Sequence, residues 1–179
     1  YSFTLYEATP QGNLLRLQAD NLDQPLDINE GVKLDLGSTA KLRTFVNYLD
    51  VVAGLHGRYA GVPRDSLRAD LGRARDPIRR WVLERALSGA DSSLASVLDA
   101  ALERRYSGST DERFFTGGGL HTFSNFTREE DGRSFTVREA LQKSVNLVFI
   151  RLMRDLVRYY ETEIPGYDPG ALSDPRHPA

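Results

Sequence analysis

The sequence predicts an α+β chain that is mainly helical, and three observations carry that prediction. The opening stretch YSFTLYEA alternates apolar and polar residues, TPQGN supplies turn chemistry, and LLRLQAD can return as a second strand. Apolar residues then recur at helical spacing in separate stretches, among them Leu42 to Ala53, Leu94 to Leu102 and Val137 to Leu141. With 179 residues and 40% hydrophobic content, the chain can bury one real core.

In chain order, the first element is a β-hairpin. The next begins at Ser38, which follows Gly37 and precedes the stripe Leu42, Phe45, Val46, Leu49, Val52 and Ala53. That stripe predicts a buried helix from Ser38 to about His56, closed near Gly54 and Gly57. Residues three apart share a helix face, so the Ser38 hydroxyl and the Lys41 amine should lie side by side. Such a pair is either a nucleophile beside a base or an N-cap beside a surface lysine.

In DPIRRWVLERALSG, Asp76 can cap, Pro77 can take the first helical position and Gly89 can close the end. In DSSLASVLDAALERRYSG the apolar face is Leu94, Val97, Leu98, Ala101 and Leu102, with Gly108 as terminator. The two are expected to form a helical hairpin, with Trp81 in its packing surface. STDERFFTGGGLHTFSNF reads as an irregular loop, its three glycines lacking the Lys-Ser or Lys-Thr of a phosphate cradle. Thr136 and Glu139 then have capping-box spacing at the start of a helix. The run from Leu147 to Ile150 asks for a second, deeply buried helix, and Ser144-Val145-Asn146 lies between them. The tail, residues 161–179, is turn-rich and expected to be loose.

Composition narrows the chemistry. The formal charge is −2 and the lysines are Lys33, Lys41 and Lys143, so nearly all cations are arginines interspersed with acids. That balance argues against a nucleic-acid partner. Without cysteine there is no disulfide and no thiol catalysis. His56, His121 and His177 lack metal-ligand spacing, so neither a metal nor another cofactor is expected. No apolar run approaches the roughly twenty residues of a membrane span. The chain opens at Tyr1 inside an alternating segment without an initiator methionine, which reads as a piece of a longer protein.

Ser-x-x-Lys and Ser-x-Asn are each weak signals alone. In this order the two say more. GSTAK at a helix start, followed about a hundred residues later by FTVREALQKSVN, resembles the transpeptidase domain of penicillin-binding proteins, especially the bifunctional peptidoglycan synthases. The resemblance covers the hairpin, the serine helix and roughly residues 119–157. It implies part of the β-lactamase-like transpeptidase fold: the N-terminal hairpin and most of the helical subdomain. It divides a single, incomplete domain into a hairpin and nucleophile helix (1–57), a helical insertion (58–118), a Ser-x-Asn region (119–160) and the loose tail.

By the same resemblance, Ser38 attacks the carbonyl of a D-alanyl-D-alanine stem peptide, Lys41 takes its proton, Ser144 relays that proton to the leaving amine, and Asn146 holds the substrate amide. The acyl group passes to a neighbouring stem and cross-links peptidoglycan, while β-lactams acylate the same serine. The implied setting is the periplasm or another extracytoplasmic face, with a membrane anchor and an upstream glycosyltransferase domain in the parent chain. Lysine with its ordinary pKa of about 10.4 is protonated and cannot act as a base, so the site must disfavour its charge. The sequence departs from the pattern in one respect: nothing after Asn146 reads Lys-Thr-Gly. The strand binding the substrate carboxylate and half of the oxyanion hole go with it, so activity of this chain alone is expected to be impaired, and uncovered apolar surface is expected to make it self-associate. Alternatives are a non-catalytic penicillin-binding-like scaffold in cell-wall assembly, a helical interaction module, and a related carboxypeptidase or β-lactamase.

Overall fold

The computed structural model describes residues 2–21, 37–116 and 119–166. Lys33, Gly117, Gly118 and tail residues 167–179 lie outside them. The chain divides into two compact units, residues 1–37 and 38–179, and each is described by itself.

The first unit holds the expected hairpin. Strand β1 (Ser2–Thr9) pairs antiparallel with β2 (Gly12–Asp20), with Leu5 opposite Leu17 and a bulge between Leu5 and Tyr6. The turn closes with Gly12 at φ 127°, a conformation that favours glycine, and the Thr9 hydroxyl donates to Gly12 O at 2.7 Å. Arg16 pairs with Glu7 across the strands.

The second unit is built around α1 (Ala40–Tyr59), preceded by a 3-10 turn over Gly37–Thr39. Helix α1 runs through Gly54 and Gly57 rather than stopping there. Both glycines lie on the exposed face. The buried stripe is Tyr48, Val51, Val52, Leu55 and Tyr59, at i, i+3, i+4, i+7 and i+11, and it is rotated from the expected one, whose Leu42 and Val46 are 53% and 48% exposed. Core burial outweighs two exposed glycines, each costing up to about 1 kcal/mol in a helix interior.

Helices α2 (Arg64–Arg73), α3 (Pro77–Ser88) and α4 (Leu94–Leu102) follow. Helix α3 has the predicted ends: Asp76 accepts from Arg79 N at 2.7 Å, Pro77 leads, and Gly89 closes in the left-handed region at φ 79°. The expected helical hairpin of α3 and α4 is not the main packing. Both helices pack on α1, and α3 also packs on α2. Trp81 is half-buried against the core, with the Arg104 guanidinium 5.4 Å from its ring centre.

Gly108 does not end α4. The helix stops at Leu102, and β3 (Arg105–Ser107) pairs antiparallel with β6 (Ser134–Thr136). The expected irregular loop contains a second short hairpin, β4 (Arg113–Thr116) with β5 (Gly119–Thr122). Alternation explains β4 afterwards: Phe114 is buried while Phe115 is 72% exposed. The capping box at Thr136 and Glu139 is present and opens α5 (Val137–Lys143). Helix α6 (Asn146–Glu163) follows, reaching into what the sequence suggested was loose tail, and Glu163 is held by Arg58 and Arg79.

The core joins Tyr48, Val52 and Leu55 of α1 to Ile78 and Leu83 of α3, Ala101 of α4, Val137 of α5 and Val148 and Leu152 of α6. Among the buried polar residues is Asp155, whose carboxylate accepts from the Tyr106 hydroxyl at 3.0 Å. Burial pushes the Asp155 carboxyl above the usual range, opposed by Tyr106 and Arg104. The chain is therefore α+β and mainly helical. Among the described residues no helix is long and apolar enough to cross a membrane.

Candidate functional site

Ser38 sits in the 3-10 turn one residue before Thr39, the residue that takes the N-cap position of α1. Thr39 makes no side-chain capping bond. The cap reading of Ser38 therefore loses its position, and the Ser38 hydroxyl instead meets the amine three residues on: Lys41 Nζ lies 3.3 Å from Ser38 Oγ. Ser38 is exposed and Lys41 partly buried, so a reactant can reach the hydroxyl while the amine is shielded behind it.

The far side of Lys41 is built by the α5–α6 junction. Helix α5 ends with Ser144 at φ 59°, ψ 36°, the one non-glycine residue with positive φ among those described. A non-glycine residue there costs about 1 kcal/mol or more. The conformation closes the helix, with Ser144 N–H donating to Leu141 O at 3.2 Å and Val145 N–H to Ala140 O at 3.0 Å. It also turns both Ser144 oxygens toward Lys41. Nζ donates to the Ser144 carbonyl, to Ser144 Oγ at 2.8 Å and to Asn146 Oδ1 at 2.6 Å. Glycine would close the helix without strain, but it has no hydroxyl.

Four oxygens thus surround one nitrogen. An ammonium has three N–H donors and a neutral amine two donors and one lone pair, so all four contacts cannot be full hydrogen bonds at once. Ser38 makes the longest. A neutral Lys41 can keep two of the Ser144 and Asn146 contacts and turn its lone pair to the Ser38 hydroxyl, the arrangement that a base requires. Desolvation holds the Lys41 pKa below its ordinary value, opposed by the negative charge of Glu130.

The structure therefore brings Ser38, Lys41, Ser144 and Asn146 together across more than a hundred residues of chain. It also reveals supports that sequence reasoning missed. Asn146 Nδ2 donates to Ser124 O at 3.0 Å, fixing which end of the amide faces Lys41. Asn125 is a three-way clamp: its Oδ1 accepts from Leu147 N at 3.0 Å, and its Nδ2 donates to Gly108 O and to Asp131 Oδ1, both at 2.8 Å. Gly108 is needed where it stands, because a Cβ there would fall 2.5 Å from Glu130 O. Glu130 itself closes a 3-10 turn (Arg128–Glu130) and has a buried Oε2 without a hydrogen-bond partner. Nothing in the local sequence marks Asn125 or Glu130, since their roles arise only when this loop folds back on α6.

His121 is exposed on β5 and makes a ring contact with Phe123, 6.4 Å between centres. Among the described residues no group of three or more histidines and carboxylates could hold a metal ion. Chemically, the site offers an exposed hydroxyl, a shielded amine whose charged form is disfavoured by desolvation, a second hydroxyl within hydrogen-bond reach of that amine, and an oriented amide. No protein-family model matches the chain, and neither does any curated protein or solved structure.

Proposed function

We propose that this chain carries the acylation site of a serine-type D,D-transpeptidase of the penicillin-binding kind, with part of its β-lactamase-like fold. One observation carries the reading: Lys41 Nζ lies within 3.3 Å of oxygens from both candidate motifs, Ser38 on one side and Ser144 and Asn146 on the other. Chance pairs of short motifs have no reason to converge on one amine.

In this reading Ser38 Oγ adds to the carbonyl carbon of a D-alanyl-D-alanine bond while its proton passes to neutral Lys41. The C–N bond then breaks, and the departing D-alanine nitrogen takes a proton relayed from Lys41 through Ser144 Oγ. Asn146 holds the amide of the acyl donor. The amine of a neighbouring stem peptide then attacks the Ser38 ester; the ester C–O bond breaks, the amine's proton returns to Ser38 Oγ by way of Lys41, and the peptide bond that forms is the cross-link. A β-lactam enters by the same first step, its ring C–N bond opening, and leaves slowly because its leaving group stays tethered. Such an enzyme works at the extracytoplasmic face, anchored through the parent protein, which in the bifunctional kind also carries a glycosyltransferase domain.

A second reading, a non-catalytic scaffold of the same ancestry, is favoured by one sequence fact. The 179 residues contain no Lys-Thr-Gly. That strand supplies one of two oxyanion donors, and loss of such a donor typically costs about 10² to 10³ in rate. The 179-residue chain is accordingly expected to acylate about that much more slowly than a chain that includes the strand.

Labelling of the full-length gene product with a fluorescent penicillin separates the readings. The transpeptidase reading expects a stable labelled band, no band from Ser38→Ala, and labelling slowed by about 10² to 10⁴ in Lys41→Met, which removes the base. Undiminished labelling of Ser38→Ala overturns it. A folded parent protein that takes no label supports the scaffold.

A further inference from the structure

Four arginines gather on one cavity away from Ser38. Arg73 at the end of α2, Arg75 in the α2–α3 connector, Arg79 in the first turn of α3 and Arg158 on α6 line one open cavity of about 460 Å³, together with Glu161 and Thr162. A neighbouring cavity of about 440 Å³ shares Arg73 and Arg79 and adds Arg58. Three separate elements thus aim guanidinium groups at one concavity.

Their counter-charges are unequally distributed. Arg73 Nη2 pairs with Asp70 Oδ1 at 2.9 Å. Arg79 pairs with Asp76 Oδ2 at 3.3 Å and with Glu163, and Glu163 also takes both ends of Arg58 at 2.9 and 3.1 Å. Arg75 and Arg158 are both exposed; no ion pair within 4 Å or hydrogen bond engages either among the described residues, while the Asp155 carboxylate acts on Arg158 only at longer range. Both line the same cavity, so an anion seated there would be attracted by both charges.

We propose that this cavity is a binding site for a phosphate group, with Arg75 and Arg158 as its ligating forks and Arg73 and Arg79 as its paired walls. Guanidinium matches phosphate oxygens bidentately, with shorter and stronger hydrogen bonds than neutral donors make. Two guanidinium groups on one cavity match a phosphate monoester, which carries about −1.5 to −2 at neutral pH, better than a single carboxylate. Glu161, the acid in the lining, works against the ligand and sets its affinity. The phosphate could belong to a lipid headgroup or to a soluble compound, and the chemistry is the same for both. This site does not depend on the reading of Ser38.

The test uses the full chain and two probes: inorganic phosphate followed by calorimetry, and flotation with phosphatidylcholine vesicles containing phosphatidic acid, with pure phosphatidylcholine as blank. The proposal expects binding to at least one probe, weakened at least about tenfold in Arg75→Gln/Arg158→Gln because two charge-assisted contacts are lost. It expects tighter binding in Glu161→Gln and no change in Arg113→Gln, an exposed arginine on β4. Binding of free phosphate without flotation assigns a soluble ligand, and flotation assigns a lipid headgroup. Arg75 and Arg158 are exposed, so the double variant should keep its unfolding temperature, which a melt checks. No binding of either probe, or equal binding by the parent and double variant, overturns the proposal.

Discussion

In the proposed reading Lys41 decides what the Ser38 hydroxyl can do, because the amine must be neutral to take a proton. Desolvation lowers its pKa below the ordinary 10.5 and the charge of Glu130 opposes that shift. The rate of Ser38 acylation should therefore rise with pH to a plateau, with a midpoint below the usual lysine range. Glu130→Gln removes the charge that favours the ammonium, so the midpoint should move to lower pH. Acylation rates across a pH series check this, and a midpoint that stays or moves up contradicts it. Stability has a matching sign: between the lowered folded pKa and the unfolded value, the unfolded chain binds more protons, so this group makes stability rise with pH there. The Ser38–Lys41 pair was legible because a spacing of three puts both side chains on one side of a helical turn, whereas Ser144 and Asn146, which flank the α5–α6 junction, stood out only through the family resemblance. Glu130 and Asn125 were not legible, because only the folded loop brings them to the site.

At the scale of elements, the α5–α6 junction sets conformational preference against chemistry. Ser144→Gly should raise stability by up to about 1 kcal/mol by relieving the left-handed serine, while slowing acylation about 10²-fold or more through loss of the relay hydroxyl. Ser144→Ala should slow acylation equally without the gain. Urea unfolding and labelling rates on the same two proteins check both halves; unchanged acylation in either variant removes Ser144 from the proton path.

The loop behind this junction depends on Gly108. Gly108→Ala forces a Cβ to within 2.5 Å of a backbone carbonyl, and the shift should cost about 1–3 kcal/mol while slowing acylation through displaced Ser124 and Asn125. Helices α3 and α5 were legible from their caps, which are local chemistry. Helix α2 was not, since its ten residues bury only Leu67, too thin a stripe to produce a period. The short pairs β3–β6 and β4–β5 are not legible in the sequence because three or four residues are too few to establish a period, and β3–β6 joins residues about thirty positions apart.

At the scale of the whole molecule, the α+β class with helix dominant was readable from periodicity and length. The arginine cavity was not, since a net charge of −2 says nothing about where charges meet in space. Two-stranded hairpins are marginal in water, and this one leaves Phe3, Leu5, Leu14, Leu15 and Leu17 each 45–56% exposed. Leu42 and Val46 on α1 and Met153 and Val157 on α6 are also about half exposed. The 179-residue chain should accordingly self-associate, with a sedimentation coefficient that rises with concentration and falls back in Leu5→Lys/Leu17→Lys. A single monomeric species at all concentrations would contradict this.

The central claim is that Ser38 is a nucleophile activated by Lys41, and the location of a covalent adduct tests it most directly. The full-length gene product is incubated with a penicillin, digested, and its peptides are weighed. One added acyl mass is expected, on the peptide containing Ser38, absent when Lys41 is methionine over the same interval. An adduct on any other residue, or one that forms as fast without Lys41, would contradict it.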